Sequence, residues 1–326
     1  MNNQDEKKLI VSITSYPARI HYVHRVLSAI FAQTMKPDDI VLYLAQEQFS
    51  GKENDLPRQL LEIIKDGKIK LRWVDDLKPH KKYFYAFQEY PDDLVITIDD
   101  DVLYLPDMIE TLYHSYLRHP NAVSALRTHL MMFSERYGIF PYDRWIMKYS
   151  GIVDCPSQQL FCTGCAGALY PVQLFDQTLL NKEAILDHCI YADDIWLKLM
   201  EIVCDIPVVL ADRQHNLQII EGSQSTKLAD MNISEGMNDK QLKDSMNWFD
   251  SKYGKRYVFE KLLDAQQKND LRDIDDIAHY YTDKIAGYTD KFAGLQRRYD
   301  NIKNSWSFRI GRYITRPVRK IKSLIH

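Results

Sequence analysis

Three consecutive carboxylates, Asp99, Asp100 and Asp101, close an apolar run of β-forming residues, Leu94-Val95-Ile96-Thr97-Ile98. A buried strand that delivers acids to its carboxyl end is how open α/β sheets present ligand-binding groups, and such hard oxygen donors suit Mg2+ or Mn2+. A plainer reading also stands: Asp favours turns and helix caps on its own account, and a helix starts near Pro106. A second acidic pair opens Ala192-Asp193-Asp194-Ile195-Trp196-Leu197-Lys198-Leu199-Met200, which reads as a helix. Acids in a first helical turn either do chemistry or offset the helix dipole.

Residues 161–170, Phe-Cys-Thr-Gly-Cys-Ala-Gly-Ala-Leu-Tyr, alternate small and apolar side chains and read as a strand. The glycines there allow a close backbone approach to a ligand, or a bulge at a buried sheet edge. Cys162 and Cys165 have CxxC spacing, but no second pair or thioredoxin-like context points to zinc or redox work. Five cysteines, Cys155, Cys162, Cys165, Cys189 and Cys204, are an odd number for a disulfide framework and fit a reducing compartment.

The elements that must position these acids alternate. Residues 8–14 read as a first strand, with Ser15-Tyr16-Pro17-Ala18-Arg19 as the turn after it; residues 24–33 carry Val26, Leu27, Ile30 and Phe31 at helical spacing. Residues 40–44 form a second strand. An amphipathic helix over 60–65 stops at Gly67, and residues 69–74 form a third strand ending in Asp75-Asp76. A helix over 80–90 precedes the strand that ends in the acidic triplet. Helices are expected over 106–118 and 239–253, and strands over 122–126 and 206–210, while residues 128–154 are aromatic and irregular. Strand and helix in alternation imply an α/β fold with a mostly parallel sheet whose site lies along one edge.

With 326 residues, 45% hydrophobic and 27% charged, the chain can bury a full α/β core and leave an appendage. A net charge of -3 argues against a surface adapted to nucleic acid. Residues 1–8 are polar and lead into too few apolar residues for a signal-peptide core, so the cytoplasm is expected. The expected organisation is a catalytic domain over 1–254, a helical linker or arm over 255–304 that could pair with its own copy, and a tail over 305–326. The tail mixes Arg and Lys with Trp306, Phe308, Tyr313 and several Ile and contains no acid, the composition of an amphipathic segment on an anionic membrane surface. A solvated basic tail, or one that docks on protein or RNA, is the alternative.

Four signals stand in sequence order: Thr14-Ser15-Tyr16-Pro17, Ile98-Asp99-Asp100-Asp101, Gly164-Cys165-Ala166-Gly167 and Ala192-Asp193-Asp194. Together, over about residues 8–250, they resemble the GT-A glycosyltransferases, in particular the family 2 enzymes that build bacterial surface polysaccharides. The tail is similar to the Ser-x-Ser-x-Arg-x-Gly-Arg, Pro-x-Arg pattern found at the ends of such transferases.

The resemblance implies a Rossmann-like GT-A fold, a mostly parallel central sheet flanked by helices, with a C-terminal helical extension. It implies Thr14, Ser15, Tyr16 and Arg19 near the base and ribose of a nucleotide-sugar donor, joined by Asp75 or Asp76, with Lys81 or Lys82 near nucleotide or phosphate. The DxD motif of the family maps onto Asp99 and Asp101, with Asp99 and Asp100 toward the nucleotide, Asp101 as the more direct ligand of Mn2+ or Mg2+, and His215 as a candidate third contact. A cation bridging a leaving diphosphate would offset its developing charge. The acceptor hydroxyl needs a general base. In the family that base comes from an acidic pair, usually Glu-Asp; here the pair is Asp193-Asp194, with Asp194 at the base's position and Asp193 its neighbour. A base opposite the leaving group implies inversion.

The function expected is therefore transfer of a hexosyl-type sugar from a nucleotide-diphosphate donor to a lipid-linked or growing glycan acceptor at the inner face of the cell membrane. A nucleotidyltransferase would also use an α/β sheet and acids, but expects a glycine-rich phosphate loop after the first strand, and residues 15–19 hold no glycine. A non-catalytic metal-dependent glycan- or nucleotide-binding module would keep the triplet without needing Asp194.

Overall fold

A computed structural model of the chain describes residues 7–213, 217–223, 236–268, 271, 291, 293–298 and 300. Two compact units are present, Met1–Leu271 and Arg272–His326. In the second, the described residues 291, 293–298 and 300 are helical. The tail over 305–326 and His215 lie outside the described residues.

The first unit is built on β1 (Leu9–Thr14), β2 (Asp39–Ala45), β3 (Lys70–Val74), β4 (Leu94–Ile98), β5 (Val102–Leu103), β6 (Val123–Ala125), β7 (Thr128–Leu130), β8 (Phe133–Ser134), β9 (Gly138–Ile139), β10 (Leu160–Cys162), β11 (Ala168–Pro171), β12 (Val208–Leu210) and β13 (Gln218–Ile219). Seven of these form the central sheet in the order β12-β6-β11-β4-β1-β2-β3. β1 and β4 are apolar on both faces and sit in its middle, as strands covered on both sides must. β3, Lys-Leu-Arg-Trp-Val, is half-buried throughout and takes the edge, where Lys70 pairs with Asp39 and Arg72 with Glu89.

Helices α1 (Val23–Phe31), α2 (Arg58–Lys65), α3 (Lys81–Glu89), α4 (Met108–Arg118), α5 (Lys182–His188) and α6 (Asp193–Val203) flank the sheet. α1 buries Val23, Val26, Leu27 and Ile30, the face its periodicity predicts. The helix expected over 239–253 is Met237–Tyr253; its Trp248 and Phe249 rings lie 5.1 Å from Trp196 of α6. Beyond Gly254, the helix Tyr257–Lys268 buries Val258, Phe259 and Leu262 and belongs to the same unit. No helix among the described residues is long and apolar enough to cross a membrane.

The ladders of β1 with β2 and β4, of β2 with β3, and of β6 with β12 are parallel, whereas β11 runs antiparallel between β4 and β6. Because β11 is reversed, its first residue, Ala168, pairs with Thr97 near the carboxyl end of β4. The loop entering β11 therefore reaches the same sheet edge as the carboxyl ends of β1, β3, β4 and β6 and the first turns of α3 and α6. From β1 the chain runs outward through β2 and β3 and then crosses back to β4 on the other side of β1, so the strand order reverses between β1 and β4, the kind of crevice where open α/β sheets bind ligands.

The strand expected over 161–170 is interrupted. β10 pairs with β7 in a separate ribbon, a 3-10 turn covers Gly164–Ala166, and β11 then joins the main sheet. Gly167 makes the change of direction at φ 97, where an added Cβ would also stand 3.1 Å from Met108 Sδ. Residues 128–154 are ordered by aromatic packing rather than periodicity: Trp145 is fully buried, 4.8 Å from the Tyr142 ring and 5.1 Å from Phe161.

Candidate active site

The turn after β1 is locked to the tip of β4. Ser15 Oγ donates to Asp100 Oδ2 at 2.6 Å, and Arg19 Nη1 lies 3.1 Å from both Asp100 Oδ1 and Asp101 Oδ2. Asp100 is buried, and desolvation raises its pKa although Ser15 and Arg19 pull it back. Burial opposes the charge of Arg19, yet Asp100 and Asp101 raise its pKa overall. The middle acid of the triplet thus closes an internal contact. The Arg19 guanidinium also stands 5.7 Å over the Tyr16 ring, and Thr14 Oγ1 donates to the Tyr43 carbonyl of β2 at 2.8 Å.

Asp75 and Asp76 form a neighbouring cluster past β3. Lys182 Nζ lies 2.5 Å from Asp75, whose pKa it lowers. Asp76 accepts from Gln48 at 2.9 Å and Lys81 at 2.8 Å, and also pairs with Lys78. Burial works against its charge, but these hydrogen bonds hold the carboxyl down at about 2. Lys81 is buried, its pKa lowered by desolvation and supported by Asp76.

Lys82 behaves differently from its neighbour. Its side chain is 6% exposed and its Nζ lies 2.6 Å from Asp99 Oδ1 and 3.0 Å from Asp193 Oδ2, joining the β4 tip to the first turn of α6. Desolvation opposes its charge, but Asp193, Asp99 and Asp194 raise its pKa well above the ordinary value. Asp193 in turn is held below the usual carboxylate range: burial raises it, and Lys82 foremost outweighs that.

Asp194 Oδ1 accepts the Gly164 N–H at 3.1 Å, and burial, then the adjacent charge of Asp193, pushes its carboxyl up to about 8. Two consecutive acids thus have opposite tendencies, one fixed as an anion and one poised to exchange a proton near neutrality. Beneath them His80 is fully buried, its ring nitrogens 2.7 Å from Tyr83 Oη and 2.7 Å from the Cys189 carbonyl; burial lowers its pKa to about 4 and keeps it neutral.

Tyr104 ties the two sides together. Its hydroxyl accepts the Asp99 N–H at 2.8 Å and donates to the Cys165 carbonyl at 3.1 Å. Cys162 and Cys165 are free, and burial raises both thiol pKa values, the reverse of what a redox pair or thiolate ligand needs.

Among the described residues, no three His, Cys, Asp or Glu side chains converge as a ready cage for a metal ion. Asp99, with its side chain 29% exposed, and Asp101 offer hard oxygens at the strand tip, held by Lys82 and Arg19. That donor set fits a Mg2+ or Mn2+ that completes its shell from substrate phosphate and water. The structure thus gathers Ser15, Arg19, Asp100 and Asp101 in one cluster and Lys82, Asp99, Asp193 and Asp194 in a second, while Asp75, Asp76 and Lys81 form a third.

Sequence reasoning missed Tyr104, which carried no signal beyond its place after the triplet, and Arg127. Arg127 follows β6 at the same sheet edge, and the strand-end rule that singled out Asp99 would have found it.

No protein-family model matches the chain, and no curated protein matches it. Among solved structures, Staphylococcus aureus TarS 1-349 is similar with TM-score 0.38 and 12% identity over 81% of this chain and 72% of that one. The mannosyltransferase PcManGT from Pyrobaculum calidifontis, solved with GDP-Man and Mn2+, is similar with TM-score 0.47 and 13% identity over 94% and 83%. Both are GT-A glycosyltransferases. A 4-diphosphocytidyl-2C-methyl-D-erythritol synthase gives TM-score 0.37 and 14% identity over 72% and 100%. These likenesses are remote.

Proposed function

We propose that the protein is a GT-A-type, inverting, metal-dependent glycosyltransferase that moves a hexosyl-type sugar from a nucleotide-diphosphate donor to a glycan or lipid-linked acceptor in bacterial polysaccharide synthesis. The observation that carries this reading is the Lys82 bridge between Asp99 and Asp193, with Asp194 held beside it by Gly164. Acids at the tip of β4 and a poised carboxyl at the head of α6 are the two halves that such a transfer requires.

Asp194, with its carboxyl near 8, takes the proton of the acceptor hydroxyl as that oxygen attacks the anomeric carbon. Lys82 keeps Asp193 ionised, and the charge of Asp193 keeps Asp194 basic. Asp99 and Asp101 would hold the Mg2+ or Mn2+, which when bound offsets charge on the departing diphosphate. Ser15 and Arg19 fix the β4 tip so that these carboxylates are oriented before substrate arrives. The turn over residues 14–19 and the cluster of Asp75, Asp76 and Lys81 frame the nucleoside. Attack from the Asp194 side, opposite the leaving group, inverts the anomeric centre. The basic tail over 305–326 holds the enzyme on the anionic inner face of the cell membrane, and the arm supports self-association.

The test is a panel of nucleotide sugars screened for thermal stabilisation with and without Mn2+ or Mg2+, followed by a transfer assay on the best donor. Metal-dependent stabilisation and a product of inverted anomeric configuration are expected. A panel in which no donor binds, or a product of retained configuration, would overturn the assignment.

A further inference from the structure

Among the described residues, Arg127 forms no ion pair with an acid. Its guanidinium Nη1 lies 2.9 Å from Cys165 Sγ and 3.5 Å from Thr163 Oγ1, both neutral. The contrast with the neighbouring cations is direct: among the described residues Arg19 pairs with two acids, Lys81 with one and Lys82 with two. A half-buried guanidinium left with neutral partners keeps its full attraction for an incoming anion.

Its position is built. Thr163 N–H donates to the Arg127 carbonyl at 3.1 Å, so the arginine backbone is stitched to the same short loop whose Gly164 holds Asp194. Cys165, which takes the guanidinium on its sulfur, is joined through its carbonyl and Tyr104 to the backbone of Asp99. Arg127 therefore stands between the donor-side acid and the acceptor-side base. On its other side, burial and the positive charges of Arg127 and Lys148 together keep nearby His129 neutral, with its pKa down at about 4.

We propose that Arg127 binds a phosphoryl group of the substrates in this cleft, its planar fork moving from the Thr163 and Cys165 side chains onto phosphate oxygens. Two substrates could bring that group: the diphosphate of the sugar donor, or a phosphate on a lipid-linked acceptor. Arginine suits either, because two parallel N–H donors match two phosphate oxygens. The inference rests on the proposed glycosyl transfer, and Arg127 acts as a binding residue whose contribution grows if negative charge gathers on a departing diphosphate.

The test is calorimetric binding of inorganic pyrophosphate and of uridine and guanosine diphosphates to the full chain and to Arg127→Gln. Pyrophosphate is titrated both alone and into protein saturated with the nucleoside diphosphate. If the donor supplies the phosphoryl group, the variant loses roughly ten- to hundredfold in nucleoside diphosphate affinity, the size expected for a charge-assisted contact. If the acceptor supplies it, nucleoside diphosphate affinity is unchanged and the loss falls on pyrophosphate binding to the saturated protein. Equal affinities of wild type and variant in both arms, or a wild type that binds no pyrophosphate and no nucleoside diphosphate, would overturn the proposal. Should Arg127→Gln fail to fold, Arg127→Lys decides: it keeps the charge but loses the fork, and an unchanged affinity would count against the role. No sugar transfer is needed for these measurements. A protein that fails to transfer sugar yet loses pyrophosphate with Arg127→Gln refutes the enzymatic reading alone.

Discussion

The backbone nitrogen of Gly164 stands 3.1 Å from Asp194 Oδ1, and a Cβ added at Gly164 would meet that oxygen at 3.2 Å and Lys82 Nζ at 3.5 Å. The missing side chain is thus what lets a backbone donor reach the proposed base. Gly164→Ala is expected to shift Asp194 by a few tenths of an ångström and to lower kcat by about tenfold or more, since misplacement near 1 Å can cost on the order of a hundredfold. Its melting temperature should stay close to wild type. Steady-state kinetics beside a thermal melt check this; unchanged kcat would remove the contact from the mechanism.

Asp194→Asn separates catalysis from stability. As a lost general base it should lower kcat by about 10²- to 10⁴-fold. The Asp194 carboxyl sits near 8 in the fold because burial and Asp193 raise it. Between the ordinary carboxylate range and about pH 8 the folded state then holds a proton the unfolded chain has released, so wild-type stability falls as pH rises across that window. The melting temperature of Asp194→Asn relative to wild type should accordingly climb from pH 5 to pH 8. A constant difference would refute the raised carboxyl. Wild-type kcat should itself rise with pH along a limb near 8.

Removing the bridging ammonium leaves acids facing one another. Lys82→Met is expected to cost about 3–5 kcal/mol at neutral pH, the usual penalty for stranding a buried charge. Because Asp193 is held low by Lys82, this loss should shrink as pH falls and the acid takes up a proton. Urea titrations at pH 7 and pH 4.5 measure it, and a loss below about 1 kcal/mol at both would contradict a buried ion bridge.

The acids of the triplet should divide by role. Asp100→Ala takes from Arg19 one of its two described acids and should act chiefly on stability, by about 3 kcal/mol. Asp99→Asn should leave the fold intact and weaken the stabilisation that Mn2+ confers in the presence of a nucleoside diphosphate. Equal effects of the two variants on the Mn2+ titration would contradict this division.

Deleting residues 309–326 should move the protein from the membrane to the soluble fraction. Unchanged partitioning on anionic vesicles rejects the anchor.

Much of this layout was legible in the chain. The strand over 94–98 and the helix from Asp193 announce themselves because their acids are contiguous and sit where a regular apolar pattern begins or ends. The bridge through Lys82 was not legible, since adjacent lysines at the start of α3 look alike in sequence and only the packing sends one to Asp76 and the other to Asp99 and Asp193. Nor was the break within 161–170, where Gly164 gives its N–H to a residue thirty positions on instead of to a strand ladder. Residues 128–154 are held by rings, with His129 stacked at 6.2 Å on Phe161, and contacts of that kind leave no period to read.

The reversed strand β11 divides the labour of the chain. Everything proposed to hold the donor lies before residue 102, apart from Arg127 and the Asp193 end of the bridge, and the acceptor side is assembled from the residues beyond β6. Among the described residues, side chains stitch the two halves at the catalytic edge: Lys82 and Tyr104 at its centre, with Lys182 on Asp75 and His80 on the Cys189 carbonyl beside them. Insertions or replacements in the aromatic segment over 128–154 could therefore rewrite which acceptor is chosen while the donor half is inherited unchanged, so that related chains would diversify their products by exchanging one half of a cleft.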